Sequence, residues 1–131
     1  MHKEILNENQ TTLLPLIKKF SNDFGMVGGT AIALKIGHRR SVDFDLFSYA
    51  RIDHDKIRNE IRGLFEIQST VVEEPDELTV IVKGVKITFL NFPFEISYPD
   101  MFEDVIKMPD LLTLSAMKSF ALGRGQNGRI M

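Results

Sequence analysis

Cysteine is absent from all 131 residues of this chain, which removes both a disulfide framework and a thiolate metal site. No apolar run approaches the roughly 18 residues that a membrane helix needs. The start, Met1-His2-Lys3-Glu4, is polar and mixed in charge, without the pattern of a secretory leader. A large charge of one sign is also missing. The net charge of -2 argues against wholesale coating of nucleic acid and leaves room for a local basic groove only. There is no internal repeat, low-complexity segment or linker. Together these absences predict a single domain over 1–131, cytoplasmic and off the membrane, burying about two thirds of its unfolded surface.

What is present centres on two aspartates one residue apart. Val42-Asp43-Phe44-Asp45-Leu46-Phe47 alternates apolar and acidic residues, the period of a half-buried strand, so both carboxylates are expected on one face. Side chains two apart on a strand sit roughly 7 Å apart, from about 3.3 Å of rise per residue. Like charges that close repel unless a cation lies between them, and magnesium (or manganese), a hard cation, suits carboxylate oxygen. Taken alone, the tripeptide also fits an edge strand with a solvated acidic face. Upstream, Val27 leads into Gly28-Gly29-Thr30, then Ala31 to Ile36 and Gly37. This reads as strand, glycine turn and short helix ended by glycine. Glycines at a helix N-terminus let amides approach an anion closely, although a plain turn needing positive φ reads the same way. An anion cradle followed by paired carboxylates suits a nucleoside triphosphate with its metal.

The remaining pattern places the frame. Leu13, Leu14, Leu16, Ile17, Phe20 and Phe24 predict an amphipathic first helix containing Pro15. Ile57, Ile61, Leu64 and Phe65 predict a helix over 53–65. Residues 67–72 read as a strand, 73–77 as a solvated acidic turn, and 78–82 with 85–92 as a hairpin. After Pro109 a final helix is expected to turn Leu111, Leu112, Leu114 and Met117 toward the core. The order α-β-α-β-α-β-β-β-α gives an α+β domain with a small mixed sheet flanked by helices.

Val27-Gly28-Gly29-Thr30-Ala31, followed by Gly37-His38-Arg39-Arg40-Ser41-Val42-Asp43-Phe44-Asp45-Leu46-Phe47, resembles the nucleotidyltransferase toxins of the AbiEii type. These belong to the DNA polymerase beta-like nucleotidyltransferase superfamily and to bacterial toxin–antitoxin and abortive-infection systems. Ala116-Met117-Lys118 and Ala121-Leu122-Gly123-Arg124 resemble a downstream helix of the same family, so the likeness covers roughly 24–124. It implies a nucleotidyltransferase-like fold, Asp43 and Asp45 on metal, and Gly28, Gly29 and Thr30 on phosphate. It implies triphosphate contacts from Lys118 and Arg124 as well. Such enzymes take a third acid from a later strand. The corresponding strand here reads Val85-Lys86-Ile87-Thr88-Phe89-Leu90, and Thr88 brings no charge, so a one-metal or weakened site is expected. Glu95 and Asp100 lie farther on. Family members continue past the Gly-Arg with a Lys-Asp-x-x-Asp-Leu stretch. Here 123–131 carries three glycines, so the resemblance implies an N-terminal catalytic half with a disordered tail over 125–131.

Other residues keep two readings. His38 and Arg39 bring cations to a phosphate or to Asp43, or belong with Arg40 to a basic surface loop. Ser41 caps a turn or touches phosphate. Lys118 and Arg124 neutralise a triphosphate or snorkel at the surface. Phe89, Phe92 and Phe94 form a base-stacking platform or, as alternating aromatics on a strand, belong to the core. Three functions follow. One is a metal-dependent nucleotidyltransferase moving a nucleoside monophosphate onto tRNA, another RNA or a protein hydroxyl. The second is a nucleotide-binding module without catalysis. The third is an interaction protein that pairs with an antitoxin or with itself.

Overall fold

The computed structural model of the chain describes residues 1–37 and 41–123. His38, Arg39, Arg124 and the expected tail at 125–131 therefore lie outside the described residues. A 3-10 turn, Lys3–Ile5, precedes helices α1, Glu8–Thr12, and α2, Leu14–Lys19. Asn7 and Gln10 form a reciprocal capping box on α1. The sequence predicts one helix here, and two are found. Pro15 sits in the first turn of α2 and has no N–H to continue the α1 ladder, so the chain restarts at Leu13.

Strand β1, Gly25–Val27, runs straight into helix α3, Gly28–Ile36. Gly37 ends α3 in the left-handed region at φ 74°, a conformation glycine takes without steric penalty. Strand β2, Phe44–Ser48, follows, then helix α4, His54–Arg62. The Asp53 carboxylate caps α4 by accepting from the Lys56 amide, and its buried stripe is Ile57 and Ile61. Strands β3, Ser69–Glu74, β4, Glu77–Val82, and β5, Val85–Asn91, complete the main sheet.

Three expectations need correcting. The acidic turn is shorter than read from sequence: Glu73 and Glu74 belong to β3 and Glu77 opens β4, where it is buried rather than solvated. A hairpin absent from the expected order, β6 (Asp100–Phe102) with β7 (Ile106–Met108), precedes the last helix, α5 (Leu111–Gly123). Strands of three residues are too short to show an alternation. On α5, Leu114 and Met117 are buried as expected, but Leu111 is exposed and Leu112 is 81% exposed. Helical rotation carries position 112 away from the face that 114 and 117 share.

The five-stranded sheet has the order β1-β2-β5-β4-β3, with β2 and β5 parallel and the other pairs antiparallel. It is mixed, as the α+β reading requires. Register fixes what each face carries. Met26, Leu46, Phe89 and Leu78 lie side by side across β1, β2, β5 and β4, and all four are fully buried. The Phe20 and Phe24 rings pack edge-on against Phe89 at 4.8 and 5.4 Å, joining the helical layer to that row. One residue along, the side chains point to the opposite face. There the row reads Val27, Asp45, Thr88 and Thr79. No helix among the described residues is long and apolar enough to cross a membrane.

Candidate active site

The polar row is built by the β1–α3 turn and the start of β2. Gly28 has φ 77°, and a Cβ placed on it would come within 2.2 Å of the Asp45 Oδ2. Both demands, a left-handed backbone and close approach, are met only by glycine. The two readings of this glycine therefore hold together: it makes the turn, and it makes room for a carboxyl. Val27, the residue capping α3, supplies no side-chain cap, so the first amides of α3, at Gly28, Gly29 and Thr30, begin a helix whose positive dipole end lies beside Asp45.

Asp45 is only 9% exposed, and no side chain or amide among the described residues hydrogen-bonds its carboxyl. Burial first, and then the neighbouring Asp43 carboxylate, push its pKa up to about 7; Glu77 adds to the rise and Lys86 opposes it. Asp43 lies just before β2, half-buried, with its carboxylate 3.9 Å from the Lys86 ammonium. Its backbone is held from two sides. The Gln10 amide donates to the Asp43 carbonyl at 3.3 Å, and the Thr30 hydroxyl donates to the same oxygen. The Thr30 hydroxyl also lies 2.8 Å from that of Ser41. Thr30 is fully buried, so its side chain braces α3 against the start of β2, and its amide is what it offers at the helix end.

Thr88 stands directly beside Asp45 across the parallel β2–β5 pair, the position read from sequence as that of the missing third acid. The Thr79 hydroxyl bridges the next two groups, 3.1 Å from the Thr88 hydroxyl and 3.1 Å from the Glu77 carboxylate. All three are buried. Gln10, Thr79 and Glu77 were missed in the sequence. Glu77-Leu78-Thr79-Val80-Ile81-Val82 is a six-residue alternation, and starting it at Glu77 would have put that carboxylate on the polar face. Gln10 caps α1 in the structure, and nothing local in the sequence showed that it also reaches Asp43.

The structure gathers Gly28, Gly29, Thr30, Ser41, Asp43 and Asp45 at one end of β2. Lys118 lies on α5, half-buried and without an ion pair among the described residues. Asp100 pairs with Lys35 instead, and Glu95 lines a separate cavity. No group of three or more His, Cys, Asp or Glu side chains able to hold a metal occurs among the described residues. A closed all-protein cage is therefore not what these residues build. They fit magnesium, which binds through one or two carboxylates and keeps water and phosphate for the rest. The Asp45 carboxyl, with the Asp43 carboxylate beside it and a glycine leaving room for its oxygen, is a set of donors that one such ion would fit.

Solved structures share the fold. A candidate nucleotidyltransferase from H. pylori matches with a TM-score of 0.62 at 13% identity, over 84% of this chain and 56% of that one. JHP933 from Helicobacter pylori matches at 0.61 and 15%, over 86% and 57%. A candidate nucleotidyltransferase from Thermotoga maritima matches at 0.60 and 13%, over 98% and 91%. In sequence, the chain is 35% identical over 92 residues to an uncharacterized protein of Aquifex aeolicus (strain VF5), covering 69% of this chain and 42% of that protein. It thus spans about half the length of most of these relatives. The sequence profile of the nucleotidyl transferase AbiEii toxins, of the type IV toxin–antitoxin system, matches residues 16–119, and the chain belongs to that family.

Proposed function

We propose that this chain carries a magnesium-dependent nucleotidyltransferase site that moves a nucleoside monophosphate from a nucleoside triphosphate to a hydroxyl of an RNA, such as tRNA, or of a protein. The observation that carries the proposal is Asp45: a carboxyl on a side chain only 9% exposed, without a hydrogen bond to the described residues and in contact range of a glycine at the start of a helix. Its ionised form is costly there, and a bound cation would offset that cost.

In this reading Asp43 and Asp45 hold the metal, which when bound neutralises phosphate charge and polarises the reacting oxygens. The amides of Gly28, Gly29 and Thr30 hold phosphate oxygens at the N-terminus of α3. Gln10, Thr30 and Ser41 keep the Asp43 backbone in place. Lys118, with His38, Arg39 and Arg124, supplies positive charge to the triphosphate. The acceptor oxygen attacks the α-phosphorus, the bond to pyrophosphate breaks, and the hydroxyl proton passes to solvent. Catalysis is then mostly positioning and charge neutralisation. The family implies an antitoxin partner, and we place the protein in the bacterial cytoplasm, with self-association as part of the same proposal.

Neutral Thr88 beside Asp45 favours a second reading, binding without transfer. Label transfer from each α-labelled nucleoside triphosphate to total tRNA and to the protein itself, with magnesium or manganese, separates the two. Transfer that Asp45→Ala abolishes supports the enzyme. Metal-dependent binding alone supports the non-catalytic module. Neither leaves a protein that acts through antitoxin or self-pairing.

A further inference from the structure

Lys86 is a cation in ion-pair range of a proposed metal ligand, and the reading above gives it no part. It lies on β5, two residues before Thr88 and on the same face, since side chains alternate along a strand. The parallel register sets Phe44 beside Ile87 and Asp45 beside Thr88. One step back, the Lys86 ammonium stands 3.9 Å from the Asp43 carboxylate. The same ammonium opposes the upward shift at Asp45, so both carboxyls feel it. The β5 flank of the acidic pair therefore carries a hydroxyl and a positive charge. A third carboxylate there would add negative charge for a second metal ion; Lys86 brings a positive charge directly.

The Lys86–Asp43 pair is loose and open. At 3.9 Å it is beyond hydrogen-bond length, and its side chains are 47% and 38% exposed. Arg58 and Glu73, by contrast, meet at 2.7 Å. A pair as open as Lys86–Asp43 contributes little to stability, so a ligand can part it at small cost. The lysine stem is flexible, and its ammonium is a compact charge suited to a phosphate oxygen. Its position complements the helix end. Asp43 and Asp45 belong to the β2 segment, and β2 lies between β1 and β5 in the sheet. The N-terminus of α3 follows β1 on one side, and Lys86 stands on the other.

We propose that Lys86 leaves Asp43 to bind a phosphate oxygen of the metal-bound triphosphate, an inference that rests on the function proposed above. Without ligand, the ammonium neutralises Asp43 and competes with the metal. With triphosphate bound, the phosphate lies between the two cations and is held by both. Calorimetric titration of wild type, Lys86→Gln and Lys86→Arg tests this, first with manganese alone, then with tripolyphosphate and ATP as their manganese complexes. Each variant's melting curve reports its fold. Lys86→Gln is expected to bind manganese about two- to five-fold more tightly, because the half-exposed partner of Asp43 is gone. It binds both polyphosphates about ten-fold more weakly, from the loss of one charge-assisted hydrogen bond. Lys86→Arg keeps the charge and stays near wild type in both titrations. A lysine that only balances Asp43 predicts the opposite sign for the second titration. Polyphosphate affinity unchanged or tighter in Lys86→Gln, or an equal loss in Lys86→Arg, overturns the role of Lys86 and leaves the metal site standing. Absence of manganese and triphosphate binding to wild type overturns the nucleotidyltransferase reading itself, and the role of Lys86 with it.

Discussion

Two rows of side chains, one residue apart on the same strands, have opposite characters. Met26, Leu46, Phe89 and Leu78 form a continuous apolar row capped by the Phe20 and Phe24 rings. Val27, Asp45, Thr88 and Thr79 form its counterpart on the other face, also buried but polar at three of its four positions. The first row follows from the hydrophobic effect and holds the domain together. The second does not. Its carboxyl at Asp45 is destabilising wherever it is ionised without a cation. The difference teaches that burial has two meanings in this sheet, stability on one face and, on the other, a carboxyl whose pKa burial raises.

Breaking the polar row is expected to have the largest effect on activity and the smallest on fold. Asp45→Ala lowers nucleotide transfer by about a thousand-fold or more, the scale on which preorganised charge stabilisation works. The metal-free variant at neutral pH still melts no lower than wild type. Label transfer and calorimetry check the two halves. The reverse pattern is expected across the sheet. Phe89→Ala costs about 3–5 kcal/mol of stability by opening a cavity in the core, while nucleotide affinity per folded molecule is retained; urea unfolding and titration read these.

The pH dependence sharpens the same contrast. The native Asp45 carboxyl, pushed up to about 7, holds its proton more tightly than the unfolded chain does. Stability of the metal-free protein is therefore fullest below about pH 4 as far as this group is concerned, and it falls as pH rises to about 7. The fall is on the order of 4 kcal/mol. Unfolding across that window shows the slope, Asp45→Asn removes it, and magnesium at neutral pH restores part of the lost stability. Gly28→Ala is a smaller break, about 2 kcal/mol from the left-handed backbone alone, with metal affinity lost as well because the added Cβ displaces Asp45. Thr79→Val is smallest, about 1 kcal/mol for one buried hydrogen-bonding group, with transfer close to wild type.

Much of the site was legible because its signals are local. The Gly28-Gly29 turn, the glycine stop at Gly37 and the alternation through Asp43 and Asp45 each depend on neighbours within a few residues. So does the placing of Thr88 between Ile87 and Phe89, which the parallel register then sets beside Asp45. What was illegible depends on pairing between distant segments. Gln10 reaches Asp43 across 33 positions, and Glu77 faces the polar row only because β4 pairs with β5 in one register. The β6–β7 hairpin is too short to carry a period. Leu112 shows the limit of the helical pattern itself, since an apolar residue next to a buried stripe need not lie on it.

The most direct test of a metal site in the polar row is manganese titration followed by backbone amide NMR at neutral pH. Paramagnetic broadening is expected first at Gly28, Gly29, Phe44, Asp45 and Leu46, with α4 unaffected, and Asp45→Ala abolishes it. Broadening centred instead on the exposed acids of β3, or none at all, would contradict the account.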